Sequence, residues 1–483
     1  MNMKKKILIS VSTAILLLLF IISFPVSSGL DINEKKYSPA STLQSGLPDD
    51  EIVTALSEYL KIQTVRGNEK QSALYLKKFL DKEGIESRII EYPGKPDRAN
   101  LVAELKGSEN KDGIILMNHM DVVEANPSEW SFPPHSGKVE NGRILGRGAI
   151  DMKGLGIMQL YAFLYIKRNK IPLKRNIMYL AVADEESRSL HGATFLIEKH
   201  RDIFKGYSYM LNEGGVGTLG VAFPGKKVFN IQMAEKGILW LKFFASGVSG
   251  HGSTPPPEYA ALKMMRFLTK LQEMNDFPVL TEDVSRFFYM MGTAAGFPDS
   301  FFLKRTKNPI VQQILKPIIK GNRHLTAMTS NTISITSINT DASSGINVIV
   351  PTVTASMDMR ILPGFSPDDL LKKIETLAAQ YDIKIEVIHK EAASISDSTG
   401  ELFQALAAVS KKNVPDITIT PFLSPGTTDS GYFREIGIKC YGLIPALMTS
   451  EDLDGIHGKN ESISIENLKL GTKILYETLV SLN

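Results

Sequence analysis

The sequence holds a single cysteine, Cys440, in 483 residues. An internal disulfide is therefore excluded, and so is a cysteine-built metal site. Cys440 lies in the apolar run 438–444, which predicts a buried, inert thiol, because a nucleophilic thiolate needs an activating neighbour. An excess of one charge is missing too. Lys and Arg number 55 against 52 Asp and Glu, a net charge of +3, and there is no long basic run. Nucleic-acid binding is not expected from such a balance. Hydrophobic residues at 43% and charged residues at 22% exclude wholesale disorder and a multi-span membrane protein. No internal repeat is visible.

One long apolar run is present, and it lies at the N-terminus. Lys4, Lys5 and Lys6 precede residues 7–26, and Val26-Ser27-Ser28-Gly29 supplies small residues where a signal peptidase cuts. The pattern reads as a secretory leader. A run of about 20 residues is also long enough to span a bilayer if it is retained. Cleavage and membrane anchoring both stay open, and both place the rest of the chain outside the cytoplasm. The length suits two compact units plus a leader. The expected division is leader or anchor 1–28, linker 29–48, first catalytic part 49–235, inserted lid 236–361 and second catalytic part 362–483. The linker is rich in Ser, Pro and Lys and reads as a flexible spacer.

Helical patterns over 51–62, 71–83, 154–168 and 192–200 alternate with strand-like runs at 87–91, 100–105, 113–118, 176–183 and 207–211. That alternation predicts an α/β catalytic domain, a mostly parallel sheet with helices on both faces. Residues 236–247 and 331–360 alternate like antiparallel strands around a helix at 259–274, which predicts an inserted α+β lid. A βα pattern resumes from 366, with a helix at 367–381 and a strand at 383–389, and is expected to return to the catalytic domain. Residues 277–321 are the least regular stretch and are expected to add helices to the insert, where they would cover a longer or more apolar substrate.

Polar clusters punctuate this pattern in a fixed order: His119-Met120-Asp121, Asp151, Asp184-Glu185-Glu186, Glu213 and His457. His119, Glu185 and Glu213 all follow strand-like runs, so three clusters fall at one sheet edge. Ligands of open α/β sheets bind at that edge. Nitrogen and carboxylate donors of this kind suit a hydrolytic metal site. Asp121 is spaced to hold the ring of His119. Asp151 follows the hairpin signal Asn141-Gly142, in a turn where its two oxygens could each face a metal. Glu185 and Glu186 are adjacent and point apart, so one can ligate while the other handles a proton.

The runs Asn118-His119-Met120-Asp121-Val122-Val123, Gly146-Arg147-Gly148-Ala149-Ile150-Asp151-Met152-Lys153-Gly154 and Asp184-Glu185-Glu186 carry a family resemblance. So do Asn212-Glu213-Gly214-Gly215, Gly250-His251-Gly252-Ser253, Gly426-Thr427-Thr428-Asp429-Ser430 and Gly455-Ile456-His457-Gly458-Lys459-Asn460-Glu461. Over about residues 50–480 the chain resembles the zinc metallopeptidase family of aminoacylases, glutamate carboxypeptidases and succinyl-diaminopimelate desuccinylases. Asn212-Glu213-Gly214-Gly215 and the leader look most like its secreted carboxypeptidase-like and N-fatty-acyl-amino-acid hydrolase branch.

The resemblance implies two zinc ions, with cobalt or manganese as substitutes. One would be held by His119, Asp151 and Glu213, the other by Asp151, Glu186 and His457. Glu185 would be the general base, with Asp121 orienting His119. A cis peptide is implied at Asp151-Met152. His251, on the lid, would steady the tetrahedral intermediate, in some members across a homodimer that the lid forms. Arg360 would bind a substrate carboxylate, with Asn347 and Gly426 nearby. The implied reaction is hydrolysis of an amide next to a free carboxylate, in a small peptide (carboxypeptidase or dipeptidase) or an N-acyl amino acid (amidohydrolase). A non-catalytic metal- or peptide-binding protein on the same scaffold is the alternative; it should have lost a ligand or the base, and none is missing.

Overall fold

The computed structural model describes residues 26–40, 42, 49–274, 278–340 and 345–483. Of the expected leader or anchor 1–28, residues 1–25 lie outside the described residues, as does most of 41–48. Among the described residues no helix is long and apolar enough to cross a membrane.

A nine-stranded mixed sheet forms the larger layer. Its centre is parallel: Arg175–Val182, Glu109–His119, Tyr207–Leu219 and Lys439–Met448 lie side by side in that order. Strict alternation explains why both faces are covered. On Glu109–His119, Ile114 and Leu116 enter one apolar core while Ile115 and Met117 enter the other. Ile177, Tyr179 and Ala181 alternate with Met178, Leu180 and Val182 in the same way. The first core takes helices Asp49–Leu60, Glu69–Lys82, Lys153–Arg168, Glu401–Asn413 and Ile465–Ser481; the second takes Ala193–Lys199 and Ser430–Glu435. The α/β expectation therefore holds, with helices on both faces. Cys440 is buried, and burial pushes its thiol up to about 12.

The smaller layer is a four-stranded antiparallel sheet in the order Thr332–Thr340, Thr352–Ile361, Gly237–Ser246, Ile383–Glu391. Helices Ala260–Glu273 and Pro367–Ala379 cover one face. The boundary expected at 361/362 is therefore too early. Leu370, Ile374 and Ala378 form one apolar stripe, and it buries against this sheet and not the larger one. A local βα pattern carries no information about which sheet its strand will join, so the lid extends to Glu391.

The irregular stretch is helical, over Glu282–Ala294, Asp299–Leu303, Pro309–Gly321 and Arg323–Thr329. Its apolar residues pack with Ala234 and Leu423, on the outer strands of the large sheet. Residues 26–40 also differ from the expected spacer. Tyr37 is buried in the main core, Leu30 and Ile32 pack against it, and Glu34 pairs with Lys411 at 2.8 Å. Apolar residues scattered through a polar stretch are enough to seat it on the body.

Candidate metal centre

Register brings the donors together. His119 pairs with Val182 across neighbouring parallel strands, so the Asp184-Glu185-Glu186 turn leaves the sheet beside it. Leu116 pairs with Leu211, which sets Glu213 level with Asn118. Glu213 does not close its strand as expected: Tyr207–Leu219 runs on and pairs with Lys227–Glu235. Gly214 permits this with φ +104, and a Cβ there would lie 2.5 Å from Gln232. Asp151 arrives from the hairpin Lys138–Glu140 and Arg143–Leu145, whose two turn residues Asn141 and Gly142 both have positive φ. The Asp151-Met152 peptide is cis.

Three donor sets converge, each within 4.8 Å: His119, Asp151 and Glu213; His119, Glu185 and Glu186; and Asp151, Glu186 and His457. Asp151 belongs to two of them and divides its oxygens. Oδ1 lies 3.2 Å from Nε2 of His119 and Oδ2 lies 3.0 Å from Nε2 of His457. Nε2 of His457 is also 3.2 Å from Glu186. One carboxylate between two imidazoles, with Glu213 and Glu186 on the flanks, is a donor arrangement that fits two cations sharing a bridging ligand.

The electrostatics agree with that fit. Burial raises the carboxyls of Glu185 and Glu213 well above the usual range, and neighbouring carboxylates push the same way. His119 is raised despite burial, because Glu213, Asp121 and Asp151 surround it. Hydrogen bonds to Asp151 and Glu186 raise His457 to about 10. A cluster this rich in acids calls for positive charge, and metal ions would supply it.

Asp121 does more than face His119. Its backbone oxygen lies 3.0 Å from Nδ1, nearer than its carboxylate at 3.5 Å. The carboxylate oxygens accept the backbone N–H groups of Glu185 and Glu186 at 3.1 and 3.0 Å. Asp121 thus holds the turn that carries the acid pair. Asp184 opens that turn with φ 68 and meets Arg98 and His191 on its other side.

Two supporting residues carried no assigned role in the sequence. Glu461 is fully buried and accepts backbone N–H bonds from Gly148, Ile150 and Asp151 at 2.8–3.0 Å. It also pairs with Arg147 at 2.8 Å. Arg147 in turn donates to the carbonyls of Gly455 and Gly458, on either side of His457. This buried pair therefore ties the Asp151 turn to the His457 turn. Both residues lie in the motifs 146–154 and 455–461, but only tertiary contact shows what they hold.

The lid residues stand apart from the donor sets. His251 lies on the two-stranded ribbon Gly250–His251 and Val348–Ile349, and Asn347, in the turn before its second strand, is its exposed neighbour, with Nδ2 3.4 Å from Nε2 of His251. Arg360 is engaged by Asp358 through two bonds, at 2.8 and 3.1 Å. Trp240 lies beside Arg360 and also beside Arg188 of the turn behind Glu186, at 6.0 and 5.6 Å. Gly426 is fixed by Ser424, in a loop where Thr428 donates to buried Glu235.

A family model described as peptidase family M20/M25/M40 matches residues 115–481. The chain belongs to this family. Among M20 relatives, the human N-fatty-acyl-amino acid synthase/hydrolase PM20D1 is 26% identical, over 96% of this chain and 95% of that protein. Probable carboxypeptidase S-like 2 of Dictyostelium discoideum is 27% identical over 77% of this chain and 72% of that protein. In fold, the M20 metallo-carboxypeptidase Sso-CP2 from Sulfolobus solfataricus superposes with a TM-score of 0.67 at 21% identity, covering 90% of this chain and 99% of that one. The chain is thus a hydrolase of the peptidase and aminoacylase kind, with a candidate metal site at its sheet edge.

Proposed function

We propose that this M20 hydrolase uses two zinc ions, with cobalt or manganese as workable substitutes, to cleave the amide of an N-acyl amino acid beside its free carboxylate. The observation that carries the di-metal part is Asp151, whose two oxygens face two different histidines. The end-to-end match to PM20D1 supports the N-acyl substrate. A carboxypeptidase acting on short peptides is the second reading, supported by the likeness to carboxypeptidase S-like 2. We also propose that the protein works outside the cytoplasm, on the strength of the apolar run 7–26.

His119, Asp151 and Glu213 would hold one ion and Asp151, Glu186 and His457 the other. When bound, such ions polarise an amide carbonyl and make water acidic enough to yield hydroxide near neutral pH. Glu185 would take a proton from the attacking water and pass it to the leaving amine. Its burial among carboxylates raises its proton affinity, which suits both halves of the task. His251 donates to the developing oxyanion, with Asn347 beside it, and Arg360 takes the substrate carboxylate as a bidentate pair. His251 and Arg360 sit on the lid, so closure of the lid gates turnover.

The test is a screen of N-acyl amino acids against dipeptides, each with added zinc, cobalt or manganese. Preferential release of fatty acid supports the N-acyl reading. Cleavage of dipeptides alone would favour the carboxypeptidase, and metal binding with no hydrolysis of either would leave a binding protein.

A further inference from the structure

We propose that the helical segment 282–329 is a docking face for an anionic phospholipid surface. Its apolar residues exceed what its packing uses. In helix Pro309–Gly321, Val311, Leu315 and Ile319 are buried. Ile310, Ile314 and Ile318 form the adjoining row, one residue earlier in each turn; Ile310 packs against the segment's own core, and the other two do not. Ile314 is 40% exposed and Ile318 is 58% exposed. Phe297, between helices Glu282–Ala294 and Asp299–Leu303, is 86% exposed. Single exposed apolar side chains are ordinary, but several on one basic helical segment mark an interaction surface.

The segment carries more basic than acidic side chains, and its acids Glu282 and Asp283 lie at its start, where Glu282 pairs with Lys307 at 2.7 Å. Residues 295–324 hold Lys304, Arg305, Lys307, Lys316, Lys320 and Arg323 against one acid, Asp299. This stretch is therefore more positive than the whole chain, whose net charge is +3. An amphipathic helix with lysines beside exposed isoleucines has the composition of a helix that lies in a bilayer interface.

A second, independent observation names the occupant. The first described residues of the chain lie against this segment. Ser27 donates its backbone N–H to the carbonyl of Lys304 at 3.0 Å, and its hydroxyl lies 3.4 Å from Thr306. Ser28 reaches Glu282 at 3.2 Å, and Leu30 approaches the sulfur of Met290 at 3.4 Å. Gly29 is pressed so close to Tyr289 that a Cβ would sit 2.7 Å from the ring. Immediately before these residues the sequence is the apolar run 7–26. An anchor there would hold this face at the lipid surface with almost no tether, so that even a weak affinity of the face for headgroups would seat it. A second copy is the poorer occupant, because two such basic faces would repel, whereas anionic headgroups complement them.

The test uses the full chain with vesicles of phosphatidylglycerol and phosphatidylcholine whose acyl chains are brominated. Phe297→Trp and Ile318→Trp are examined separately, against the background of Trp130 and Trp240. The expected result is a blue shift and strong quenching of each introduced indole on anionic vesicles. Adding Lys316→Glu and Lys320→Glu should weaken the quenching several-fold. Quenching no greater than in the unaltered protein overturns the proposal, even if the protein stays on the vesicles through its N-terminus. Equal quenching on purely neutral vesicles overturns the anionic assignment. An indole already shielded without lipid shows that the face is covered by the chain itself or by a second copy, and also overturns it.

Discussion

The donor edge and the lid ribbon were both expected to belong to one active site, and they are built in opposite ways. His119, Asp121 and Glu213 are buried and Asp151, Glu185 and Glu186 are at most partly exposed, His457 being the exposed exception. Their turns are pinned by hydrogen bonds from the far side, through Asp121 and Glu461. His251 and Asn347 are exposed; among the described residues the hydrogen bonds of their side chains are to each other and, for His251, to Ser253. The difference teaches how the work is divided. Metal ligands must be in place before the ion arrives, since mutual repulsion among carboxylates would otherwise spread them. Oxyanion and carboxylate donors have to admit a substrate first, so they belong on an element that can approach afterwards.

The largest effect that would sharpen this comparison is expected at Glu185. Glu185→Gln should lower kcat by about 10⁴-fold while metal stoichiometry, read by atomic absorption, stays at the unaltered value. Near-normal turnover would remove Glu185 from proton transfer. His251→Ala should lower kcat by about 10²-fold and also leave the metal in place. Metal loss in that variant would break the contrast, because it would put His251 among the ligands. Glu461→Gln should do the reverse. It touches no substrate, yet chelator competition should show metal affinity reduced about 10-fold or more, with the circular dichroism of the folded protein retained. Unchanged metal affinity would mean that the Asp151 turn does not depend on it.

The smallest effect belongs far from both regions and serves as their control. Arg168 joins Glu51 and Glu83 at 2.8–2.9 Å, and its hydrogen bond lowers the Glu51 carboxyl below its ordinary 4.5. Because the folded value is depressed, the stabilisation is complete above 4.5 and is lost as pH falls through the lower folded value. Arg168→Gln should therefore cost about 1 kcal/mol near neutral pH, and the gap in urea midpoints should close in acid. Metal content and kcat should not move. A gap that persists at low pH would assign the loss to packing and not to charge.

Much of the donor edge was legible because it depends on local rules. A strand whose faces alternate must end somewhere, and the residue after its last apolar position lies at the edge where ligands bind. His119 and Asp184-Glu185-Glu186 obey that rule, and Asn141-Gly142 marks its hairpin equally locally. Glu213 departs from it, since its strand runs on past the site under the control of a second pairing partner. The lid boundary, the packing of segment 26–40 and the packing of the helices of 282–329 were not legible for a related reason. Their amphipathic stripes show that they bury a face, but not against which neighbour.

The sequence by itself therefore determined the α/β class, the order of the polar clusters along the chain and the family to which the chain belongs. The class follows from periodicity and the family from motif resemblance, both of which are properties of short windows. Only the tertiary structure decided that Asp151 divides its oxygens between His119 and His457, that Asp121 holds the Glu185-Glu186 turn, and that Arg147 and Glu461 tie two loops more than 300 residues apart. Each of these is a contact between distant segments. Such contacts are set by strand register and by which surfaces are left to be buried, and no short window of sequence contains either.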